Sequence, residues 1–410
     1  MSQDVLGNAV STADSRALQG INAFILGYLG YDLRLVDILG VADQSDDCLA
    51  NTYAGLLWML SETGDIPAEA LRYRDRASAS FDRALPREKL LFSVLEASIA
   101  EDPDRIIALT DTILTEWPRD LVTLKLRQYH DFIRGRFTDM LAIALKSEDA
   151  AGDIAALHGM LAFGFEQCHD LTAAERSARR ALEMDPSEPW AQHALAHVFL
   201  TQGRIEEGIA FLEERSAGWE HLTSFMYTHL WWHLALFYLT QGRVVDALDI
   251  YDQHCWGRER SFSQDQIGAV SLLVRLELAG ADVGQRWDDL AEWLAPRQED
   301  VSQPFLSLQY LYGLLKARRP EGRHLLQRIE NLSDKNLSDK NLPDQQAWIL
   351  VGIPLARGLD AYLDHDPVTA QRYFEAALPH LQDIGGSHAQ RDLFMQIHKD
   401  IVRQLVNLSP

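Results

Sequence analysis

Cysteine is scarce in this sequence, and its three cysteines stand far apart. Cys48, Cys168 and Cys255 show no paired spacing along 410 residues, so the pattern supports neither a disulfide framework nor a zinc motif. Long apolar runs are missing too, because no stretch approaches the roughly 18 uncharged residues that a membrane span needs. Residues 1–15 lack the basic and apolar segments of a signal peptide. These absences predict a protein of the reducing cytoplasm without a membrane partner.

Basic residues are also in short supply. The chain has 38 Lys and Arg against 60 Asp and Glu, which gives a net charge of −22. This balance argues against nucleic acid or an anionic membrane as a partner. The motifs GxGxxG after a strand, GxxxxGK[ST] and GxSxG are absent as well. The composition, 47% hydrophobic and 24% charged, is otherwise that of a folded protein.

A repeat of helical pairs occupies residues 154–256. Three helix-turn-helix units follow one another there, and each sets bulky apolar residues against small ones, as in tetratricopeptide (TPR) repeats. The small positions Ala174 and Gly208 lie 34 residues apart, which is the TPR period, and Ala247 follows after 39. The longer second interval places a long turn at residues 216–224. The residues of the pattern are Leu161, Ala162, Phe165, Ala174, Ala178 and Ala181; Leu195, Ala196, Phe199, Gly208 and Leu212; and Trp231, Leu234, Ala235, Tyr238, Ala247 and Tyr251.

The sequence therefore predicts an all-α fold, a TPR-like solenoid of antiparallel helix pairs. We divide it into degenerate helical pairs at 1–150, central TPR units at 151–256, and C-terminal repeats at 257–410 that end in a capping helix at 388–405. Helices are predicted to begin at Pro86 and near Leu121, because proline favours a first helical position and cannot continue a helix. Another is predicted at 270–278. A tandem duplication, NLSDK at 331–335 and again at 336–340, predicts a surface loop.

Two pairs of histidines are the main candidates for a functional site. His193 and His197 lie four residues apart on one predicted helix, as do His229 and His233 on the equivalent helix of the next unit. This spacing puts both rings of a pair on one helix face, outside the packed positions of the repeat. In TPR superhelices that side lines the concave groove, and Glu166 takes the corresponding place in the preceding unit.

Three interpretations of the histidines compete. They are buried residues that hydrogen-bond neighbouring helices, or they orient a peptide or small molecule in a pocket, or they form a metal or acid-base centre. The metal signal is weak by motif, because Ala194 and Leu230 stand where the HExxH motif of metalloproteases has glutamate. At 385–387, Gly-Gly-Ser could offer N–H groups to an anion, but Ser387 as a helix N-cap is the better interpretation.

The chain resembles the tetratricopeptide repeat protein 38 family over most of its length. The resemblance implies an α-solenoid and carries no firmly established activity. It also implies that the four histidines occupy family positions. The matching stretches are REKL at 87–90, GMLAFG at 159–164, 181–190, HALAH at 193–197, HLWWHLAL at 229–236, 251–252, DVGQRW at 282–287, GIPL at 352–355 and GGSHAQRD at 385–392.

Three polar features that the resemblance implies are replaced in this chain. Leu200 stands where family members have an acidic residue after the second histidine, Gly268 stands in place of an aspartate, and 306–309 (LSLQ) replaces Asn-Asp-Ala-His. If the family site needs those groups, this member has a modified or lost activity. If the histidines are structural, the replacements are neutral.

We therefore expect a binding protein that holds a peptide, a small molecule or a partner protein on a concave face around His193, His197, His229, His233 and Glu166. The alternative is a hydrolase or lyase that uses histidine acid-base chemistry, with or without a metal. No cofactor is required by the sequence, and a transition metal is the weaker possibility.

Overall fold

The protein is almost entirely α-helical. The structure, a computed structural model, describes residues 2–332 and 345–408, so most of the duplicated NLSDK segment lies outside the described residues. The described strands, Ser2–Gln3 and Ala9–Val10, form one short antiparallel pair. This confirms the all-α prediction. Within the described ranges, no helix is both long and apolar enough to cross a lipid bilayer.

The α-helices follow one another along the chain with short connections. They are α1 Ser15–Gly30, α2 Asp37–Gln44, α3 Cys48–Met59, α4 Ala68–Ala79, α5 Pro86–Ile99, α6 Pro103–Glu116, α7 Leu121–Phe132, α8 Phe137–Lys146, α9 Glu148–Ala151, α10 Ala155–Gln167, α11 Leu171–Met184, α12 Pro189–Thr201, α13 Ile205–Ser216, α14 Ser224–Thr240, α15 Val244–Ile250, α16 Ser263–Leu278, α17 Arg286–Leu294, α18 Pro304–Lys316, α19 Pro320–Asn331, α20 Gln345–Ala347, α21 Ile353–Leu363, α22 Pro367–Ala377 and α23 His388–Leu408. Two π-helical turns, Tyr251–Cys255 and Trp348–Gly352, follow α15 and precede α21.

A residue with left-handed backbone conformation separates the two helices of successive pairs. These residues recur at intervals of 34 at positions 101, 135, 169 and 203, and then at 242, 280, 318 and 365. In the pairs α10–α11 and α21–α22, an aspartate follows directly. Asp170 accepts a hydrogen bond from the Ala173 N–H, and Asp366 accepts one from the Thr369 N–H. Each turn thus ends one helix through a positive φ and begins the next through an aspartate cap.

By their contacts, the residues form two compact units. The N-terminal unit comprises 1–131, 137–202 and 217–226. Its core is built on stacked rings such as Phe24 on Tyr53, whose centroids lie 4.6 Å apart. Arg87 fixes the N-terminal strand pair to this core, since its guanidinium binds Asp4 at 3.0 Å and Asp120 at 2.8 Å, with all three side chains buried. The strand pair is therefore held by a buried ion triad rather than by its two short strands alone.

The C-terminal unit comprises 132–136, 203–216 and 227–410. Its long helices α16 and α18 are buried on almost every side, and both pack against α17. Gly313 on α18 permits a close approach, because a Cβ there would lie 2.4 Å from Leu294 of α17. Likewise, a Cβ on Gly208 would lie 2.3 Å from the Phe237 ring, in agreement with the small position predicted for the repeat.

Several predicted helix limits agree with the structure. Helices begin at Pro86 and Leu121, and α14 begins at Ser224 after the long turn. The helix predicted at 270–278 begins earlier, at Ser263. The prediction missed its first two turns because Gly268 reads as a helix breaker, yet a buried helix tolerates it. The last helix runs to Leu408, beyond the predicted 405.

Candidate functional site

Helix α12 carries the first histidine pair. Its N-cap is Glu188, whose Oε2 accepts a hydrogen bond from the Ala191 N–H, and Pro189 takes the first helical position. One and two turns further on, His193 and His197 are each 1% exposed. Their Nε2 atoms lie 3.0 Å apart, and the rings are nearly perpendicular. One ring nitrogen therefore donates a proton to the other, so each ring is fixed by its partner.

Aromatic rings enclose this pair. The His193 ring stacks on Trp190 with centroids 4.4 Å apart, and Phe163 of α10 contacts both imidazoles, at 5.2 Å from His193 and 5.7 Å from His197. Apolar walls of this kind exclude water, and they strengthen any electrostatic interaction within them.

Glu166, the carboxylate predicted for this site, lies next to the second imidazole of the pair. Its carboxylate is fully buried, and Oε1 lies 3.6 Å from His197 Nδ1. Gln167 donates a hydrogen bond to Glu166 Oε2. The carboxylate thus lies beside the Nδ1 side of the His197 ring, opposite the Nε2 atom that contacts His193.

A buried amine and a buried acid lie next to this aromatic enclosure, and neither was predicted from the sequence. Lys125 Nζ lies 3.3 Å from the centroid of the Tyr31 ring and donates a hydrogen bond to Leu29 O at 3.1 Å. Burial lowers the pKa of Lys125 well below its usual value, and burial raises the pKa of Glu188 to about 7. Because the Tyr31 ring contacts Trp190 at 5.3 Å, these groups form the outer layer around His193.

Helix α14 carries the second pair. His229 is 9% exposed and His233 is fully buried. The His229 ring stacks on Trp232 at 5.2 Å with an interplanar angle of 9°, whereas His233 meets the same indole edge-on at 4.9 Å. The two imidazoles are themselves nearly perpendicular, with centroids 4.9 Å apart. This pair repeats the arrangement of the first, with Trp232 in the role of Trp190.

The structure brings all four predicted histidines together. One nitrogen from each of His193, His197, His229 and His233 belongs to a set in which every atom lies within 4.8 Å of every other. All four side chains are buried, whereas the prediction of a concave groove had placed them on an accessible face.

Asp265 is a buried acid beside the helix of the second histidine pair, and it was not predicted from the sequence. It lies in the first turn of α16, is 1% exposed, and accepts a hydrogen bond at 3.0 Å from the hydroxyl of Thr228, the residue before His229. The resemblance directed attention to position 268, where this chain has glycine. Had α16 been predicted to begin at Ser263, Asp265 would have been recognised as a first-turn acid.

The other replaced positions are buried on α18. Ser307 donates its hydroxyl proton to Asp300 O at 2.8 Å, and Gln309 donates to Phe305 O at 3.3 Å. These side chains therefore form hydrogen bonds with the backbone of their own helix and of the turn before it. Ser387, predicted as an N-cap, takes part in a capping box with Gln390: the Gln390 N–H donates to Ser387 Oγ, and the Ser387 N–H donates to Gln390 Oε1.

A second concavity lies in the C-terminal unit, away from the predicted residues. This cleft of about 1140 Å³ is lined by the ends of α16, α18 and α21 and by part of α23. Its charges largely satisfy one another, since Lys316 pairs with Glu277 at 3.0 Å and Arg403 with Asp400 at 3.5 Å. Because these charges are already paired, they do not indicate a particular ligand for the cleft. The histidine cluster remains the better candidate.

A comparison of the chain with models of known protein families found no match.

Proposed function

We propose that this protein is a TPR-like α-solenoid that binds a small ligand at His193, His197, His229 and His233, and that a divalent transition-metal ion is the ligand these imidazoles suit best. The observation that carries the proposal is the convergence of four ring nitrogens within 4.8 Å. The TPR-like architecture is supported by left-handed turns at intervals of 34 residues and by the resemblance to the tetratricopeptide repeat protein 38 family.

The distances within the cluster support a metal ion. In a tetrahedral site with metal–nitrogen bonds of about 2.0–2.1 Å, ligand nitrogens lie about 3.3 Å apart. His193 and His197 already present two nitrogens at 3.0 Å. All four nitrogens lie within 4.8 Å of one another, so metal binding requires the wider separations to shorten. Imidazole suits zinc, copper, iron and nickel, so the site would select among these rather than bind magnesium or calcium.

The burial of the cluster favours a compact ligand over a peptide. His193, His197 and His233 are at most 1% exposed and His229 is 9% exposed. A peptide or partner protein that lies along a groove needs side chains on an accessible surface. An ion or a small molecule needs only a path of entry.

Elemental analysis of the purified protein tests the proposal. We expect close to one transition-metal ion per chain after incubation with zinc and removal of excess, and loss of that ion in the variant His193→Ala/His233→Ala. The matched control is His221→Ala/His324→Ala, because both of those side chains are about half exposed. A metal-free wild type, or equal metal in both variants, contradicts the metal proposal and favours histidines that only stabilise the fold.

Catalysis is the second candidate, and the position of Glu166 favours it. A buried carboxylate 3.6 Å from His197 is suited to acid-base chemistry, as in a hydrolase or lyase that acts on a small metabolite. Glu166→Gln separates the two candidates, because it keeps the size and hydrogen bonding of the side chain. Catalysis requires that this variant keep the bound metal and lose turnover. A pure binding site keeps the metal in this variant and shows no turnover in the wild type either.

A further inference from the structure

We infer that the ligand site extends from His229 and His233 past Trp232 to Arg275, and that it takes a small organic carboxylate. This inference rests on the proposed function, because it names a second ligand of the same site. It is carried by hydrogen-bond donors on Arg275 and Trp232 for which the described part of the chain provides no acceptor.

Arg275 lies in the middle of α16, and its guanidinium faces the indole of Trp232. The side chain is 4% exposed, and Cζ lies 5.4 Å from the centroid of the Trp232 ring. Nη1 donates to the carbonyl and hydroxyl oxygens of Ser271, and Nη2 donates to Ala389 O at 2.7 Å. A guanidinium carries five N–H donors. Among the described residues, the Nε–H and one Nη2–H therefore have no acceptor.

Comparable buried arginines in this protein are neutralised by carboxylates. Arg87 binds two aspartates, Arg127 binds Asp111 and Asp131 at 2.9 Å, and Arg297 lies 3.4 Å from Asp300. Arg275 forms no ion pair with any described residue. Burial lowers the pKa of Arg275 to about 10, so the group keeps its charge at neutral pH. An unpaired buried charge is costly, and that cost is removed when an anion binds.

Trp232 adds a hydrogen-bond donor beside Arg275. Its indole Nε1–H is fully buried, and no described residue accepts a hydrogen bond from it, a property that it shares with Trp58, Trp287 and Trp348. Trp232 differs from these in its place between Arg275 and the imidazoles. The same ring stacks on His229 and meets the edge of His233. Unused donors on Arg275 and Trp232 thus adjoin the imidazoles, and a ligand that satisfies them must be rich in acceptors.

A carboxylate fits these donors better than a neutral molecule does. The guanidinium is planar, and two of its N–H groups match the two oxygens of a carboxylate in one plane. A neutral amide would leave the charge of Arg275 unpaired. Asp392 is the acid whose charge raises the pKa of Arg275, but it forms no ion pair with the guanidinium, and its Oδ2 accepts from Gln396.

Calorimetric titration of the full-length protein, metal-free and zinc-loaded, tests this inference. The probes are acetate, succinate, uncharged succinamide and inorganic phosphate. We expect succinate to bind, succinamide to show no binding, and Arg275→Met to weaken succinate binding at least tenfold. Arg275→Lys keeps the charge without the planar guanidinium. Its affinity for succinate should therefore lie between those of the wild type and Arg275→Met. Arg286→Met, which removes a partly exposed arginine paired with Asp252, is the control and should bind as the wild type does.

Thermal unfolding distinguishes a ligand-binding Arg275 from a structural one. The unpaired charge predicts that Arg275→Met melts at the same temperature as the ligand-free wild type or higher, and that succinate no longer raises its melting temperature. Equal succinate binding in wild type and Arg275→Met overturns the inference, as does phosphate binding more tightly than both carboxylates. Zinc binding without succinate binding overturns this inference alone. Succinate binding without zinc binding overturns the metal proposal but supports Arg275 as a carboxylate-binding residue.

Discussion

The Nε2 atoms of His193 and His197 lie 3.0 Å apart at the centre of the first histidine pair. One of these nitrogens donates its N–H to the other, so the contact orients both rings. The Glu166 carboxylate lies 3.6 Å from His197 Nδ1, on the other side of that ring. This arrangement reduces the free energy needed to organise the site.

Zinc should therefore stabilise the folded protein. A ligand present at 100 times its dissociation constant adds about 2.7 kcal/mol to the free energy of unfolding. We expect a rise of this order in wild type and almost none in His193→Ala/His233→Ala, measured by thermal or denaturant unfolding with and without zinc. An equal rise in both proteins would mean that zinc binds elsewhere.

The Arg87 triad predicts a large effect from a small change. Asp4→Asn removes one of the two carboxylates from a buried guanidinium, and breaking a buried pair typically costs about 3–5 kcal/mol. We expect the free energy of unfolding to fall by about 3 kcal/mol, because Asp120 still binds Arg87. Denaturant unfolding measures it. The control Arg286→Ala breaks a partly exposed pair with Asp252 and should cost less than about 1 kcal/mol. Similar losses in the two variants would show that the buried triad contributes no more to stability than a partly exposed ion pair.

Glu188 predicts a pH-dependent stability. Burial raises the pKa of its carboxyl from 4.5 to about 7, so folding favours the protonated form. The stabilisation from this group is complete below pH 4.5 and is lost as the pH rises through 7. Glu188→Gln cannot titrate. The variant should therefore gain stability relative to wild type across this window, by up to about 3 kcal/mol.

Chemical denaturation of both proteins at several pH values between 4.5 and 8 would measure the difference, in which all other titrating groups cancel. Lys125 lowers the pKa of Glu188. Lys125→Met should therefore extend the window to higher pH. A difference that does not change with pH would mean that Glu188 titrates alike in the folded and unfolded chain.

The left-handed turns predict opposite effects at two positions. Glu101 has φ 52°, which strains any residue with a Cβ, so Glu101→Gly should stabilise the protein by about 0.5–1 kcal/mol. Gly203 has φ 69°, and a Cβ there would meet no other atom within 4 Å. Gly203→Ala should therefore cost about 1–2 kcal/mol from backbone strain alone. Equal unfolding midpoints for both variants would contradict this account of the turns.

The sequence was informative where chemistry is local. A proline marks the first residue of α5, and another proline precedes the start of α7. The spacing of Ala174 and Gly208 indicated the helical pairs. Histidines four residues apart lie on one helix face wherever the helix is placed, so each pair could be predicted. Their burial could not, because it depends on Phe163, Trp190 and other rings from separate segments.

The acids and cations around the histidines were harder to predict. Asp265 was missed because the predicted helix began after it. Arg297 has an acid three residues later, Asp300, so its ion pair could be expected from local spacing. The burial of Arg275 against Trp232 could not, because it depends on which helices meet after packing.

The Arg87 triad also has a consequence for the order in which the protein folds. Asp4 and its partner Arg87 lie 83 positions apart in the sequence, and Asp120 lies further along still. The strand pair of residues 2–10 therefore gains its buried ion pairs only after α5 and the start of α7 have come into place. Contacts so distant in sequence form slowly because a long loop must close first. We therefore expect residues 2–10 to be among the last to acquire protection against hydrogen exchange during refolding.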